Sequence, residues 1–209
     1  MKNVEELIER LKNMHGEPRC ELNFSNPLEL TVATVLSAQC TDERVNKVTE
    51  KLFKKYRSLD DYIAVKIEEL EEDIKPTGFF RNKAKTLKNI AEEIKIRFSG
   101  KVPEDIDLLA SVKGIGRKSA NMIVGCAYKK PALIVDTHVK RVANRIGLTD
   151  FEDPERIEID LKKKVPRDRW LDLSLLLILH GRYVCKARKP ECNRCELKNS
   201  CNFFIKGEK

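Results

Sequence analysis

The chain has 209 residues, enough for one large domain or two small ones with a substantial core. Its 41 Lys and Arg against 33 Asp and Glu leave a net charge of +8, which favours a polyanionic partner, and the mixing of both signs points to an ion-pair-rich surface. The longest uncharged apolar run, 173–180, is far too short to span a bilayer, and no signal-peptide core opens the chain. Seven cysteines crowd toward one end instead of spreading as a disulfide framework, so a soluble protein of a reducing cytosol, with no membrane partner, is expected.

Apolar residues at helical spacing (Val4, Leu7, Ile8, Leu11, Met14) predict an amphipathic helix over 3–14. Residues 28–39 are apolar nearly all round, which reads as a buried helix. Thr41 or Asp42 can cap the next helix, which continues through Val45, Val48, Leu52 and Phe53. Short helices are predicted around 60–65 and 67–74, the second ending before Pro76. Gly78, Phe79 and Phe80 read as an apolar loop, after which Ala84, Leu87, Ile90, Ile94 and Phe98 mark a long amphipathic helix that Gly100 stops. A short helix over 103–112 leads into Gly114 and Gly116. Residues 117–129 then carry Ala120, Ile123, Val124 and Ala127 as a buried face, and Pro131 ends that helix.

Asp136 or Thr137 starts a helix to about residue 146, and Asp153 followed by Pro154 is a cap-plus-first-position signature for the next. A last, strongly apolar helix is predicted over 168–181. No stretch alternates as a strand does, and no repeat, low-complexity segment or linker stands out. The fold class is therefore all-α, with about ten helices.

The glycine pair lies in Val112-Lys113-Gly114-Ile115-Gly116-Arg117-Lys118. Two glycines one residue apart permit a tight turn, and amides at a turn that opens a helix have no intrahelical acceptor, so an anion is a natural partner. A dinucleotide fingerprint would need a strand before the glycines and a third Gly or Ala after them; a helix precedes them here and Ser119 stands in the third place. Helix, glycine hairpin, helix remains. Lys118, just inside the second helix, is a candidate nucleophile, and an anion grip beside it suits work on a nucleic-acid backbone. On spacing alone the pair also fits a plain helix-to-helix turn, with Lys118 a solvated surface lysine.

Cys185, Cys192, Cys195 and Cys201 are spaced C-x6-C-x2-C-x5-C, a density that points to metal binding rather than packing. Structural zinc sites usually present two C-x2-C-like pairs, whereas only Cys192 and Cys195 form one here; the looser spacing suits an iron–sulfur cubane somewhat better. Cys20, Cys40 and Cys126 read as small core residues. The loop between Cys185 and Cys192 carries Lys186, Arg188 and Lys189, and pinning both its ends would present these cations to phosphate at low entropic cost. It is equally readable as an ordinary solvated loop.

Taken together the chain resembles the endonuclease III family of DNA glycosylases within the helix-hairpin-helix superfamily. The resemblance runs through Leu36-Ser37-Ala38-Gln39 with Thr41-Asp42, Gly78-Phe79 with Asn82-Lys83-Ala84, and the Gly114–Lys118 hairpin. It continues through Val135-Asp136-Thr137-His138-Val139 and Leu179-His180-Gly181-Arg182-Tyr183 into the four cysteines. It implies a [4Fe-4S] cluster on Cys185, Cys192, Cys195 and Cys201. It also implies a six-helix domain over 20–132 and a discontinuous cluster domain over 1–19 and 133–209, flanking a DNA-binding cleft. In the family's pattern Lys118 is the catalytic lysine, Asp136 the catalytic aspartate, and Gln39 fills the gap left by an extruded nucleotide. Phe79 stands where an apolar wedge, commonly leucine, is placed. Lys113 replaces the usual hairpin proline, which trades rigidity for a cation, and Cys40 replaces a small residue.

What the resemblance implies is a monomeric bifunctional DNA glycosylase and abasic-site lyase of base excision repair, acting in the prokaryotic cytoplasm at the nucleoid. Its partner would be double-stranded DNA carrying oxidised pyrimidines or abasic sites. Related adenine glycosylases share the cysteine spacing but lack the lysine at position 118 and carry a further C-terminal domain. Lysine attack at C1′ would be followed by β-elimination on the 3′ side, with Asp136 stabilising positive charge on the sugar and also acting as an N-cap. His138 and His180 are read as packing or hydrogen-bonding residues. Two other readings stay open: a redox-sensing DNA-binding module, and a mismatch thymine or uracil glycosylase of the same superfamily.

Overall fold

The computed structural model describes residues 3–207, and among these every regular element is helical. In chain order they are α1 (Val4–His15), α2 (Pro27–Leu36), α3 (Asp42–Lys55), α4 (Leu59–Ala64), α5 (Ile67–Ile74) and α6 (Phe80–Arg97). These are followed by α7 (Ile106–Ala110), α8 (Arg117–Tyr128), α9 (Thr137–Ile146), α10 (Pro154–Lys164), α11 (Trp170–Tyr183) and α12 (Asn202–Ile205). Short 3-10 turns precede α6 and α11 and punctuate the cysteine-rich tail. No described helix is long and apolar enough to cross a membrane.

The helix starts follow from side-chain caps. Asn3, Asn26, Thr41, Asp105, Asp136 and Asp153 each accept a hydrogen bond from a backbone amide of the first turn that follows, and Pro27 and Pro154 occupy first positions whose amides need no partner. Ser58 and Asp61 form a reciprocal capping box on α4. Each such cap contributes on the order of 1 kcal/mol, so the boundaries are set locally before any packing.

The described residues fall into two compact units, one within Cys20–Lys130 and the other within Met1–Arg19 and Pro131–Lys209. In the first, α2 packs on α8, α4 and α5 pack on α6, and α7 packs on α8. The centre of α2 is buried on every side (Leu30, Val32, Ala33, Leu36), as is much of α8 (Ala120, Met122, Ile123, Val124). In the second, α11 packs on α1 and on α9, and α12 packs on α9. Residues Leu173, Leu175, Leu176, Leu177, Ile178 and Leu179 of α11 are all buried. At roughly 1.5–3 kcal/mol per buried side chain, this helix is the thermodynamic centre of its unit.

The structure departs from the sequence pattern in three places. Helix α2 stops at Leu36, three residues short of the apolar run, because Gln39 turns into left-handed backbone at φ 53°. The helix expected over 103–112 is only Ile106–Ala110, since the Asp105 carboxylate accepts from the amides of Asp107 and Leu108 and fixes a later start. The tail from Cys192 on carries two 3-10 turns and α12, all too short for periodicity to reveal.

Candidate nucleic-acid interface and thiol cluster

The glycine hairpin joins α7 to α8. Gly114 has φ 104°, and a Cβ there would meet Thr86 Cγ2 at 2.7 Å, so glycine is needed both for the turn and for its close packing on α6. Gly116 is different: it is the N-cap of α8 at φ −81°, with open space around its Cα. Helix α8 has no side-chain N-cap, and among the described residues no acceptor engages the Gly114 or Gly116 amide. The Lys113 amide, by contrast, is directed at the Glu93 carboxylate at 3.3 Å. Arg117 Nη1 pairs with Asp107 at 2.9 Å and braces the turn. The outcome is an uncapped, positive helix end with exposed glycine amides, suited to an anionic oxygen. Lys118 lies half-buried in the first turn of this helix.

Gln39 and Phe79 share an unusual backbone. Both are non-glycine residues in left-handed conformation, at φ 53° and 49°, and both are exposed, Phe79 at 62%. A bulky residue in that region costs on the order of 1–3 kcal/mol, a strain concentrated where structures do work. The two line one hollow of about 370 Å³, together with Asn82, Lys83, Gly114 and Ser119. The glycine hairpin, Gln39 and Phe79 are thus brought to one surface of the Cys20–Lys130 unit, which also holds Lys118.

Asp136 belongs to the other unit. It is the N-cap of α9, with Oδ1 accepting from the amides of His138 at 2.9 Å and Val139 at 2.8 Å. The first turn of α9 lies hard against α11, where a Cβ on Gly181 would meet His138 Cβ at 2.8 Å. Burial pushes His138 below the ordinary histidine range, against the opposing pull of Asp136.

The same helix holds the cysteine loop. Arg141 donates to the carbonyls of Gly181 at 2.8 Å and Cys185 at 3.1 Å. One turn on, Arg145 donates to the carbonyls of Lys186 at 2.8 Å and Ala187 at 3.1 Å, and it approaches Cys185 Sγ at 3.4 Å. The Cys201 thiol in turn donates to the Arg145 carbonyl at 3.3 Å. Buried His180 links His15 Nε2, 3.0 Å from its Nδ1, to Cys195 Sγ, 3.5 Å from its Nε2.

The four thiols Cys185, Cys192, Cys195 and Cys201 form no disulfide and sit close enough to act on one another electrically. Burial pushes Cys195 up to about 11, and each of the other three thiols adds to the rise; Cys192 is raised by burial and then by Cys185 and Cys201. Neighbouring sulfurs that hold Cys192 and Cys195 against ionisation are a poor arrangement without a cation and a good one around it, so this donor set fits a bound metal group. Among the described residues no group of His, Cys, Asp and Glu side chains is drawn together as a single-ion site would require.

Within the loop, Lys186 is tied to Glu191 by a salt bridge of 2.5 Å, whereas Arg188 and Lys189 are exposed with no ion-pair partner among the described residues. Of the remaining cysteines, Cys126 is buried against the Cys20 thiol, while Cys20 and Cys40 are half-buried rather than core. Sequence reasoning did not single out Lys83, Arg141, Arg145 or the packing role of Gly181. Their pattern carries no signal beyond the motifs in which Lys83 and Gly181 lie.

Comparison with known proteins fits this geometry. A family profile described as HhH-GPD superfamily base excision DNA repair protein matches residues 32–167. Endonuclease III of Bacillus subtilis (strain 168) is 44% identical over 100% of this chain and 96% of its own. Endonuclease III of a Synechocystis species is 45% identical over 94% of this chain and 90% of its own. A solved structure of a trapped endonuclease III–DNA covalent intermediate superposes with a TM-score of 0.92 at 42% identity, covering 99% of this chain and 97% of that one. The chain therefore belongs to the HhH-GPD superfamily of base excision DNA repair proteins and, within it, to the endonuclease III family.

Proposed function

We propose that Lys118 and Asp136 carry the chemistry of this chain, a base-excision-repair DNA glycosylase that also cuts DNA at abasic sites. The single observation behind the residue assignment is the hairpin. It leaves amides uncapped and exposed for a phosphate within a few residues of a half-buried primary amine. The relative solved as a trapped covalent intermediate with DNA supports a covalent route.

In this reading a damaged nucleotide leaves the duplex, since its C1′ is out of reach in the stack, and lesions cost less to unstack than intact pairs. Gln39 and Phe79 enter the duplex and occupy the space left behind, their exposed left-handed turns holding them clear of the protein surface. The amides of Gly114 and Gly116 hold a backbone phosphate, and Arg188 and Lys189 add cations along the strand. Lys186 contributes once it exchanges Glu191 for phosphate.

The Lys118 nitrogen attacks C1′, the bond from C1′ to the base breaks, and the base leaves with its electron pair and a proton. The Asp136 carboxylate stabilises the positive charge that develops on the sugar, from a cap that holds it in place. Opening of the sugar ring yields a Schiff base on Lys118, which acidifies the C2′ proton. Loss of that proton expels the 3′ phosphate, and water then frees the lysine. The substrate class we assign is oxidised pyrimidines and abasic sites in double-stranded DNA, handled by a monomer in the prokaryotic cytoplasm.

Cys185, Cys192, Cys195 and Cys201 hold a [4Fe-4S] cluster in this reading. When bound, the cluster supplies four iron–thiolate bonds that fix the 185–201 segment. Arg141 and Arg145 position that segment from the protein side by gripping its carbonyls, on the same helix that Asp136 caps.

A panel of duplexes tests the assignment: oxidised thymine, oxidised cytosine, a T·G mismatch, uracil and a bare abasic site, each with borohydride present. Excision and trapping on the oxidised pyrimidines and the abasic site are expected. Preference for the mismatch or for uracil would replace the substrate class, and binding with no strand cleavage on any duplex would leave only a DNA-binding module.

A further inference from the structure

Lys83 is only 5% exposed, an unusual place for an ammonium group. Its Nζ donates to the carbonyl of Leu36 at 2.8 Å and to that of Thr77 at 2.8 Å. Leu36 is the last residue of α2, three positions before Gln39. Thr77 ends the 3-10 turn before α6, two positions before Phe79. The two acceptors are 41 positions apart in sequence, yet one cation holds both of the turns that bear the strained, exposed residues. Lys83 also lines the hollow that Gln39 and Phe79 share.

Burial depresses the basicity of this amine, with the nearby Cys40 thiol acting the other way. A methionine of similar length would fill the space without that desolvation cost, so apolar packing does not account for a lysine here. What a lysine adds is two charge-assisted hydrogen bonds that join the two turns, each of which is otherwise held by its own local bonds, such as Cys40 N–H to the Ser37 carbonyl and Gly78 N–H to the Lys75 carbonyl. We infer that Lys83 is a positioning residue for duplex opening: it ties the Gln39 turn to the Phe79 turn and sets the spacing at which the two side chains enter DNA. This rests on the reading of Gln39 and Phe79 as the intruding residues.

The test uses the full-length, iron-loaded protein with Lys83→Met, which keeps the stem and removes the donors. Single-turnover excision from a fully paired lesion duplex should fall by ~10-fold or more, because displacing a positioned group by about an ångström costs this much or more. Borohydride trapping on single-stranded abasic DNA, where no duplex has to be held open, should stay within about twofold of the unsubstituted protein; that substrate also reports whether the variant is folded. In a Gln39→Ala/Phe79→Ala background, Lys83→Met should add less than about twofold, as expected when three residues act through one feature.

Equal loss on paired and single-stranded DNA would overturn the assignment by making Lys83 a general structural residue. So would a loss that multiplies with that of Gln39→Ala/Phe79→Ala, or no loss on paired DNA. Were Gln39→Ala/Phe79→Ala alone to excise at the unsubstituted rate, the reading of those two residues would fall, and this inference with it.

Discussion

Asp136 serves two purposes that one substitution can separate. Its Oδ1 accepts from the amides of His138 at 2.9 Å and Val139 at 2.8 Å, a demand that an asparagine carbonyl meets as well as a carboxylate does. Asp136→Asn therefore keeps the cap and loses only the attraction between a negative charge and the helix end, about 0.3–1 kcal/mol. Asp136→Ala loses the cap as well, for a total of roughly 1–2 kcal/mol. Stabilisation of developing positive charge on the sugar is a larger quantity. Removing one preorganised electrostatic partner of a transition state typically costs about 3–4 kcal/mol, or ~10²–10³ in rate. The order of effects should then differ by assay. In thermal unfolding Asn should lie near the parent and Ala below it, while in single-turnover excision both should be slow by a similar factor, with DNA binding largely kept. Excision by Asp136→Asn at the parent rate, with only Asp136→Ala slow, would reduce Asp136 to a cap.

Gly114→Ala should destabilise the protein by roughly 2–3 kcal/mol, from the left-handed backbone at φ 104° and the 2.7 Å approach to Thr86, as read from denaturant unfolding. Gly116→Ala, with ordinary φ and nothing near its Cβ, should unfold within about 1 kcal/mol of the parent but bind DNA less well, since the methyl group stands where backbone meets phosphate. Phe79→Gly should leave stability within about 1 kcal/mol, because relief of the left-handed strain offsets added freedom in the unfolded chain, while excision from paired DNA drops several-fold or more. Cys195→Ser should lower bound iron and sulfide and expose the 185–201 segment to proteolysis, whereas Cys126→Ala should leave the iron content unchanged.

How much of this was legible in the sequence depends on whether the determinant is local. Helices α1, α3 and α9 follow from a repeating apolar face and a side-chain cap within the same few residues, and α6 and α8 from the apolar face alone, so Asp136 was readable as the start of a helix before any packing was known. The Gly114 turn was readable for the same reason, because its φ needs glycine. The end of α2 was not. Its apolar run continues past Leu36 while the backbone turns away at Gln39, and one of the groups securing that turn is Lys83, far along the chain.

Arg141 and Arg145 show the same limit. By pattern they belong to the polar face of an amphipathic helix, yet their guanidinium groups close on carbonyls about 40 positions later, a function that only the fold reveals. Lys186 reads in sequence as a free cation and is instead paired with Glu191. The cysteine spacing carried the idea of a metal group; the structure adds that neighbouring sulfurs hold Cys192 and Cys195 against ionisation.

The central claim is that the Lys118 nitrogen becomes covalently joined to the sugar of the damaged nucleotide. The most direct test is to reduce the reaction with borohydride in mid-course, digest the product and locate the nucleotide on the peptide map. A single adduct on the peptide containing Lys118, absent in Lys118→Ala, is the expected result. An undiminished adduct in Lys118→Ala, or abasic DNA left uncut by iron-loaded protein, would contradict it.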